Sequence, residues 1–359
     1  MIFYKVRRKI RKCLLENYWF YITIILTRFS SIPKKQKKVF LEIDELALNR
    51  YLYNFIKFFT LNNYTVYIPK NKKVISTLNR KKGEFVYGSW ILKERVRIGR
   101  PKIADLLISK NQLSNNYFGK TTKHTYHVPM SEYPGMYRNG FFNDFEKIKR
   151  KRKRSVFMAG NIDVLYYNKI SKAGFFEIPS RVEVSKFLEV QSYYQSIESL
   201  KELRGFIDSK EDNKIILINT LNQFRIPLQD LKDVLQSFHF YLALPGIHIP
   251  QSHNLIEAMS MGCIPLLHRT YSNLMYPVLD HMETALIYDS LEELDELILY
   301  TFNLEESILN SLHENVQEYY NKHLLPLAVI KKIEKNKFSK IYIQAEEKSL
   351  ALLKKDCSE

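Results

Sequence analysis

Residues 239–267 read HFYLALPGIHIPQSHNLIEAMSMGCIPLL, and this stretch decides the fold. The apolar run Phe240 to Leu244 predicts a buried strand, which ends at the Pro-Gly pair of residues 245–246. A polar loop follows, and a helix is expected to begin near Ser252. Ile264 to Leu267 then predict a second buried strand. This order of strand, loop, helix and strand is typical of an open α/β sheet with parallel strands.

The start of the helix near Ser252 is where a ligand is expected. In open parallel sheets, ligands bind beyond the carboxyl ends of the strands, where a helix start offers unpaired N–H groups and partial positive charge to a diphosphate. Ser252 or Asn254 can cap this helix. Glu257, about one turn further on, can accept two hydrogen bonds from a ribose diol, or it can simply complement the helix dipole. Gly262 is expected to end the helix.

The same stretch resembles the donor-binding segment of glycosyltransferases of the GT-B architecture, most closely the exostosin-like and group 1 types. In those proteins a small-residue loop precedes a Glu-Ala helix and a Gly-x-x-Pro strand. The matching residues here are Pro245, Gly246, Ser252, Asn254, Glu257, Ala258, Gly262 and Pro265. The resemblance implies an α/β fold with two Rossmann-like, doubly wound lobes facing a central cleft. It also implies sugar transfer from a nucleotide-sugar donor.

One departure from the group 1 pattern bears on the stereochemistry. Many group 1 retaining enzymes carry two glutamates with seven residues between them, and Ile249 occupies the first of those positions here. This favours the exostosin-like comparison, whose members invert. GT-B enzymes generally work without a catalytic metal ion, so no metal site and no cofactor are expected. His248 and His253 lack further ligands for a metal, and His253 is expected to donate to the sugar or phosphate, or to face water.

Two further donor-side candidates precede this stretch. The strand predicted at Ser155 to Ala159 ends at Gly160, which can let the backbone approach a ligand closely, although Gly-Asn is also an ordinary turn. Arg181 follows the strand-like residues 175–178 and enters a helix. It is the preferred cation for the leaving diphosphate, and Arg225 is the competitor. An arginine near a loop is also commonly a solvated surface residue.

The resemblance implies that the base of an inverting reaction comes from the first lobe. Asp44 directly follows the first predicted strand, Val39 to Ile43, and is the candidate catalytic base. Glu45 competes for that role, and either residue can instead be a helix cap.

The length of 359 residues suits two domains of about 150 residues each. In the first, a strand, helix and strand are predicted at 39–43, 48–59 and 65–68, with further strands at 84–87, 105–108 and 124–129. In the second, strands are predicted at 214–219 and 284–288, and helices at 228–238 and 291–298. The predicted organisation is a basic and aromatic segment at 1–37, a first lobe at 38–146, a polybasic linker at 147–154, a nucleotide-sugar-binding lobe at 155–303, and helices at 304–359 that cross back to the first lobe through 319–332.

The net charge of +17 comes from two segments. Residues 1–38 hold eleven Lys and Arg against one acid, Glu16, and the run Lys147 to Arg154 adds seven more. The other residues are close to neutral together, which argues against a nucleic-acid partner. A basic nucleic-acid-binding protein on an α/β scaffold is the alternative function. Each Lys or Arg near an anionic leaflet contributes about 1 kcal/mol, so either segment can hold the protein on a membrane surface.

The amino-terminal segment places six basic residues before the apolar, aromatic stretch Tyr18 to Leu26. Spanning a bilayer takes about twenty residues, so this stretch predicts an interfacial helix with Trp19 at headgroup depth, or else a helix docked on the first lobe. Three distant cysteines fit a reducing compartment. We therefore expect a cytoplasmic protein, peripheral on the inner face of the cell membrane, with a glycan or lipid-linked acceptor in surface polysaccharide synthesis.

Overall fold

The computed structural model describes residues 2–29, 36–44, 46–79, 86–94, 96–142, 151–172 and 174–356. The chain forms two compact units: unit 1 is Met1–Val128 together with Pro326–Glu359, and unit 2 is Pro129–Leu325. The carboxyl-terminal residues thus belong to the same unit as the amino-terminal ones, with the return at Pro326. Both units are built on parallel sheets, so the predicted α/β class is confirmed.

The described helices, in chain order, are α1 Ile2–Phe29, α2 Arg50–Leu61, α3 Lys72–Leu78, α4 Val86–Lys93, α5 Pro134–Asn139, α6 Val164–Tyr167, α7 Lys169–Lys172, α8 Arg181–Leu188, α9 Leu200–Asp208, α10 Leu228–Leu235, α11 His253–Ser260, α12 Arg269–Ser272, α13 Leu291–Phe302, α14 Glu306–Tyr319, α15 Pro326–Lys335 and α16 Glu347–Asp356. A π-helical turn at Tyr320–Leu324 follows α14. The described strands are β1 Lys37–Leu41, β2 Tyr64–Ile68, β3 Arg97–Ile98, β4 Leu106–Ile108, β5 Leu113–Ser114, β6 Thr125–His127, β7 Lys153–Gly160, β8 Ile215–Asn219, β9 Phe238–Ala243, β10 Ile264–His268, β11 Leu286–Tyr288 and β12 Lys340–Tyr342.

Unit 1 contains a parallel sheet with the strand order β3-β2-β1-β4. β1 and β2 pair in register, with Val39 opposite Val66, and α2 connects them. The predicted strand, helix and strand are confirmed, and α2 is buried over most of its surface, with eight of its twelve residues buried. A second parallel sheet, β5-β12-β6, takes its central strand from the carboxyl-terminal part of the chain.

Three sequence predictions differ from the structure. Val86 and Tyr87, assigned to a strand at 84–87, begin the helix α4, while residues 84 and 85 lie outside the described part. Ile91 is buried one turn later, which fits helical rather than alternating spacing. Residues 175–178 are not a strand. The strand β12 falls in a region predicted to be mainly helical, because three residues are too short for a recognisable pattern.

Unit 2 contains a five-stranded parallel sheet with the order β11-β10-β9-β7-β8. β7 and β9 are neighbours in this sheet although β8 lies between them in sequence, which is the strand order of a doubly wound sheet. The strands at its centre are buried almost throughout, as the apolar runs predict. The helix predicted near Ser252 is α11, and Gly262 follows it in the left-handed conformation, with φ of 71°.

The basic run at 147–154 is only partly a linker. β7 begins at Lys153, whose Nζ donates to the carbonyls of Ser209 and Glu211. Arg152 donates to the carbonyls of Phe238 and Met261. These cations satisfy carbonyl groups of unit 2, so they are committed to the fold rather than to a membrane. Residues 147–150 lie outside the described part.

The amino-terminal helix α1 belongs to unit 1. Thr23, Ile24 and Thr27 are buried, and the Thr23 hydroxyl accepts a hydrogen bond from Asn79 Nδ2 at 2.9 Å. Among the described residues, no helix combines the length and apolarity of a membrane span.

Candidate functional site

In the unit 2 sheet, the direction in which successive strands are added reverses between β7 and β9. β7 is followed by β8 on one side, while β9, β10 and β11 lie on the other. This is the point at which open α/β sheets bind ligands, because the loops after the two strands separate there. Gly160 is the last residue of β7, and Pro245 and Gly246 come shortly after β9. The predicted donor-side residues gather around these two strand ends.

Arg181 is buried at this edge, with 4% of its surface exposed. Ser180 caps α8 with a capping box and thereby makes Arg181 the first helical residue. Arg181 Nε donates to the Pro245 carbonyl at 2.6 Å, and Nη1 donates to the Asn161 carbonyl at 3.1 Å. Nη2 donates to Ser252 Oγ at 3.0 Å. One side chain therefore joins the loop after β7, the loop after β9 and the start of α11.

No carboxylate pairs with Arg181 within the described part of the chain. Its acceptors are two carbonyls and a hydroxyl, and the Tyr167 ring lies 4.4 Å from Cζ. A buried guanidinium whose charge is not neutralised by an acid leaves positive potential at the edge of the sheet. The competitor, Arg225, is exposed and donates to the Thr220 carbonyl, so it lies outside this network.

Gly160 and Asn254 pack against Arg181. Asn254 Nδ2 donates to the Ala159 carbonyl at 2.6 Å and its Oδ1 accepts from Ser252 Oγ at 2.9 Å. A Cβ on Gly160 would lie 2.7 Å from Arg181 Nη1 and 3.2 Å from Asn254 Nδ2. The lack of a Cβ at Gly160 thus leaves room for these two side chains, whereas the sequence reasoning connected the glycine with a ligand.

The amino terminus of α11 is not capped by a side chain. Ser252 occupies the N-cap position, but its hydroxyl is engaged by Arg181 and Asn254 instead of the helix amides. The Ser252 amide donates to the Tyr271 hydroxyl at 2.6 Å. The amides of the first turn, starting at His253, therefore retain the anion-binding character of a helix start. The expectation that Ser252 or Asn254 caps the helix is wrong, because both side chains serve the Arg181 network.

Glu257 lies one turn into α11 and is buried, with 3% of its surface exposed. Its Oε1 accepts from the Tyr133 amide at 3.0 Å and from His253 Nδ1 at 3.0 Å, which requires the tautomer with a proton on Nδ1. The His253 ring lies 5.6 Å from the Tyr133 ring. Glu257 therefore has a structural function that the sequence did not indicate: it holds the 129–133 segment at the start of α11.

A buried ion pair lies on the same side of α11. Lys232 Nζ donates to Glu132 Oε1 at 3.1 Å and to Ser260 Oγ at 2.7 Å, and the Tyr320 hydroxyl donates to Glu132 Oε1 at 2.8 Å. Burial raises the pKa of Glu132, and the nearby Glu257 adds to the rise. Sequence reasoning missed Glu132 and Lys232. The available signal was Lys232 itself: a lysine among the apolar positions of α10 indicates a buried charge that needs a partner.

Gly246 is required by the loop after β9. A Cβ there would lie 2.7 Å from the Ile249 carbonyl oxygen and 3.1 Å from that of Gln251. The Gly246 amide donates to the Pro250 carbonyl at 3.2 Å, which closes the loop. Glycine therefore allows the tight loop that delivers the chain to the start of α11.

Asp44, the predicted catalytic base, lies in unit 1 beyond the carboxyl end of β1. The strand ends at Leu41, earlier than predicted, and Asp44 is exposed in the following turn. Its Oδ1 accepts from Asn71 Nδ2 at 3.4 Å. Its competitor, Glu45, lies outside the described residues. In the part of the chain that the structure describes, no group of three or more His, Cys, Asp or Glu side chains is placed to hold a metal ion.

No family model matches the sequence, and no curated protein matches it either. Solved structures give distant likenesses. Anabaena Alr3699/HepE, crystallised in complex with UDP, aligns with a TM-score of 0.44 and 8% identity over 84% of this chain and 99% of that chain.

Two others align less closely. A mutant of S. aureus TarM, in complex with fondaparinux, alpha-GlcNAc-glycerol and UDP, gives a TM-score of 0.32 and 10% identity over 76% of this chain. WaaG, a glycosyltransferase involved in lipopolysaccharide biosynthesis, gives 0.30 and 11% over 76% of this chain. The chain spans 50% of the length of the TarM mutant and 62% of that of WaaG.

Proposed function

We propose that this protein is a GT-B glycosyltransferase, inverting and of the exostosin-like type. It would move a sugar from a nucleotide-sugar donor to a glycan or lipid-linked acceptor in surface polysaccharide synthesis. The observation that carries the proposal is the buried Arg181, which has no carboxylate partner in the described residues and lies beside the uncapped start of α11. Both features favour an anion at one point of the sheet edge, and a diphosphate carries the matching charge.

The donor would lie along the start of α11. The amides of the first turn would donate to the diphosphate oxygens, and the Arg181 charge would stabilise them from within the protein. Glu257 is the residue proposed for the ribose. Because its Oε1 accepts from Tyr133 and His253, Oε2 is the oxygen proposed to accept from a ribose hydroxyl. His253 would donate to the sugar or phosphate from its Nε2 when the ring carries a proton on each nitrogen, since Nδ1 donates to Glu257.

The proposed chemistry is a single displacement at the anomeric carbon. The acceptor oxygen forms the new bond while the bond to the β-phosphate oxygen breaks, and the electron pair leaves with the diphosphate. Positive charge from Arg181 and α11 would stabilise that leaving group without a metal ion. Asp44 is the proposed base that takes the acceptor proton. The proposed location is the cytoplasm, at the inner face of the cell membrane, where a lipid-linked acceptor would be within reach.

The test is thermal unfolding of the full chain with UDP, GDP or CMP added. A ligand at a hundredfold excess over its Kd stabilises the folded state by about 2.7 kcal/mol, so the matching nucleotide should raise the melting temperature by several degrees. The same samples are assayed for retention on oligonucleotides across a salt series, because a simple polycation responds to any phosphate. Strong nucleic-acid binding without a nucleotide response would overturn the proposal and favour the alternative function.

Glu257→Gln separates the ribose role from the structural one. Glutamine keeps an acceptor for the Tyr133 amide but loses the charge, so we expect folding to be retained and nucleotide affinity to fall about tenfold. Glu293→Gln is the control, since Glu293 lies near the start of another unit 2 helix, where it accepts from the Asp289 amide. Equal nucleotide affinity in both variants would remove Glu257 from the site.

Asp44→Asn tests the base. Transfer to the acceptor should fall about a hundredfold or more while the nucleotide-induced rise in melting temperature is unchanged. Asp208→Asn, another exposed aspartate, is the control. Full transfer activity in Asp44→Asn would exclude Asp44 as the base without affecting the donor site.

A further inference from the structure

The outward face of α1 is apolar. Ile10, Leu14, Tyr18, Tyr21 and Ile25 are 56%, 64%, 56%, 62% and 49% exposed. They follow one another at intervals of three or four residues, so they form a single stripe along the helix, called here the α1 stripe. Apolar side chains this exposed, and contiguous over four turns, mark an interaction surface rather than the scattered exposure that is normal for soluble proteins.

The opposite face of α1 is fixed to unit 1. Thr23, Ile24 and Thr27 are buried there, and Asn79 Nδ2 donates to the Thr23 hydroxyl. Lys70 Nζ lies 5.7 Å from the Phe20 ring centroid, which adds a contact between the helix and the rest of unit 1. One face of the helix is therefore held against unit 1, and this packing does not account for the apolar stripe on the other face.

Charge distinguishes the possible occupants of the stripe. Arg7 and Arg11 are exposed and continue the face of the stripe at its amino-terminal end. The same three turns also carry Lys5, Arg8, Lys9 and Lys12, and Glu16 is the one acid in the sequence of residues 1–38. A second copy of this face would bring no negative charge to these residues. An anionic lipid headgroup would supply it at the depth where the tyrosines of the stripe are most favourable.

We infer that the α1 stripe is a docking surface for an anionic membrane. The helix lies in the plane of the interface, with the stripe in the outer acyl region and the basic end among the headgroups. The inference does not depend on the proposed transferase activity, since it uses only the exposed side chains and charges of α1. It assigns membrane contact to the amino-terminal segment and not to Arg152 and Lys153 of the polybasic run, which donate to carbonyls of unit 2.

The experiment is co-sedimentation of the full chain with vesicles of phosphatidylcholine alone or of phosphatidylcholine mixed with phosphatidylglycerol. We expect binding to the anionic vesicles that is about tenfold or more tighter than to the neutral ones and that weakens as salt is added. The double variant Leu14→Glu with Tyr18→Glu should lose this binding. Arg7→Gln with Arg11→Gln should weaken it and reduce its salt dependence.

The matched control is Val190→Glu with Leu221→Glu, which places the same charges at exposed apolar positions of unit 2, 80% and 46% exposed. Circular dichroism and melting temperature verify that each variant is folded. The inference is overturned if the wild-type chain does not bind anionic vesicles, or if the control variant loses binding as fully as the α1 variant. A concentration-dependent dimer that the α1 variant abolishes, in a chain that ignores vesicles, would also overturn it in favour of a second copy.

Discussion

Two arginines occupy equivalent positions in the two units and meet opposite partners. Arg50 and Arg181 are each the first residue of a helix, α2 in unit 1 and α8 in unit 2. Arg50 pairs with the Glu346 carboxylate, which also accepts from the Tyr51 hydroxyl. Arg181 meets two carbonyls and a hydroxyl. Glu346 neutralises the charge of Arg50, whereas no acid among the described residues neutralises that of Arg181, so of these two arginines only Arg181 can attract an anion.

The start of α2 also differs from the start of α11, the helix whose N-cap residue Ser252 accepts from Arg181. Asn49 Oδ1 accepts from the amides of Tyr51 and Leu52, so the start of α2 is satisfied within unit 1. Ser252, at the corresponding position of α11, makes no such bond. Similar parallel sheets therefore do not imply similar sites. What matters is whether cations and helix amides at the sheet edge are already paired.

The strongest test of this comparison is Arg181→Met beside Arg50→Met. Methionine at 181 leaves three acceptors without their donor in a buried place, and we expect a loss of about 3 kcal/mol in the free energy of unfolding, together with the nucleotide response. Arg50 and Glu346 are 33% and 23% exposed as side chains, so Arg50→Met should cost about 1 kcal/mol or less. Urea unfolding with and without nucleotide measures both effects. Similar nucleotide responses in the two variants would contradict the distinction between the arginines.

A smaller change at the same place is Gly160→Ala. The new Cβ would displace Arg181 Nη1, and because that nitrogen is held by the Asn161 carbonyl, the displacement breaks a buried hydrogen bond. We expect a loss of about 2 kcal/mol and weaker nucleotide binding. Gly205→Ala is the control: it lies within α9 with no atom within 4 Å of its Cβ position. It should stabilise the protein by about 0.5 to 1 kcal/mol. A neutral Gly160→Ala would mean that Arg181 can move freely.

Acid tests the same comparison without changing a residue of the site. In unit 2, His239 Nδ1 lies 2.7 Å from His313 Nε2, and His313 Nδ1 lies 2.6 Å from the Gly262 carbonyl oxygen. Burial, with the charge of nearby Arg152, lowers the pKa of His239 to about 3 and that of His313 to about 4. Between about pH 6.5 and those values the unfolded chain binds more protons than the folded one. The contribution of these histidines to the free energy of unfolding is therefore fully present above about pH 6.5. It is lost as the pH is lowered, by at most about 1.4 kcal/mol per pH unit for each histidine.

In the described part of unit 1 the counterpart is His127, whose pKa burial lowers to about 4. Unit 2 should therefore lose stability more steeply between pH 6.5 and 4 than unit 1. Hydrogen exchange followed separately for peptides of each unit measures the two slopes. His313→Gln should flatten the unit 2 slope, whereas His124→Gln, at an exposed position of unit 1, should not change either slope. If unit 1 and unit 2 lost stability with equal slopes in the wild-type protein and in both variants, these histidines would not govern the acid sensitivity.

Much of the unit 2 sheet could be predicted from the sequence. Phe240 to Leu244, Ile264 to Leu267 and 214–219 are apolar runs bounded by turn residues, and such runs are typical of buried parallel strands. The start of α8 at Arg181 and the Ser290 cap of α13 were predictable for similar local reasons. The short strand β12 was not, because its stability comes from pairing with β5 and β6, distant in sequence.

The site was predicted as a set of residues, not as an arrangement. Sequence position placed Gly160, Ser252, Asn254 and Glu257 at strand and helix ends, where ligands bind. It assigned Ser252 or Asn254 to a cap, and Glu257 to a ribose or to the helix dipole. It could not show that Arg181 would bind the Ser252 hydroxyl or that the Tyr133 amide, 124 positions away in sequence, would donate to Glu257.

By itself, the sequence determined the class of fold, the order of strands and helices around residues 239–267, and the concentration of charge at the amino terminus, since local periodicity and composition fix these without distant contacts. Only the tertiary structure decided which polar groups satisfy one another: that Arg152 and Lys153 serve carbonyls, that Arg50 meets Glu346, and that Arg181 meets no acid among the described residues. The physical reason is that a buried charge or amide is defined by its partner, and partners are chosen by the packing of segments far apart in the chain.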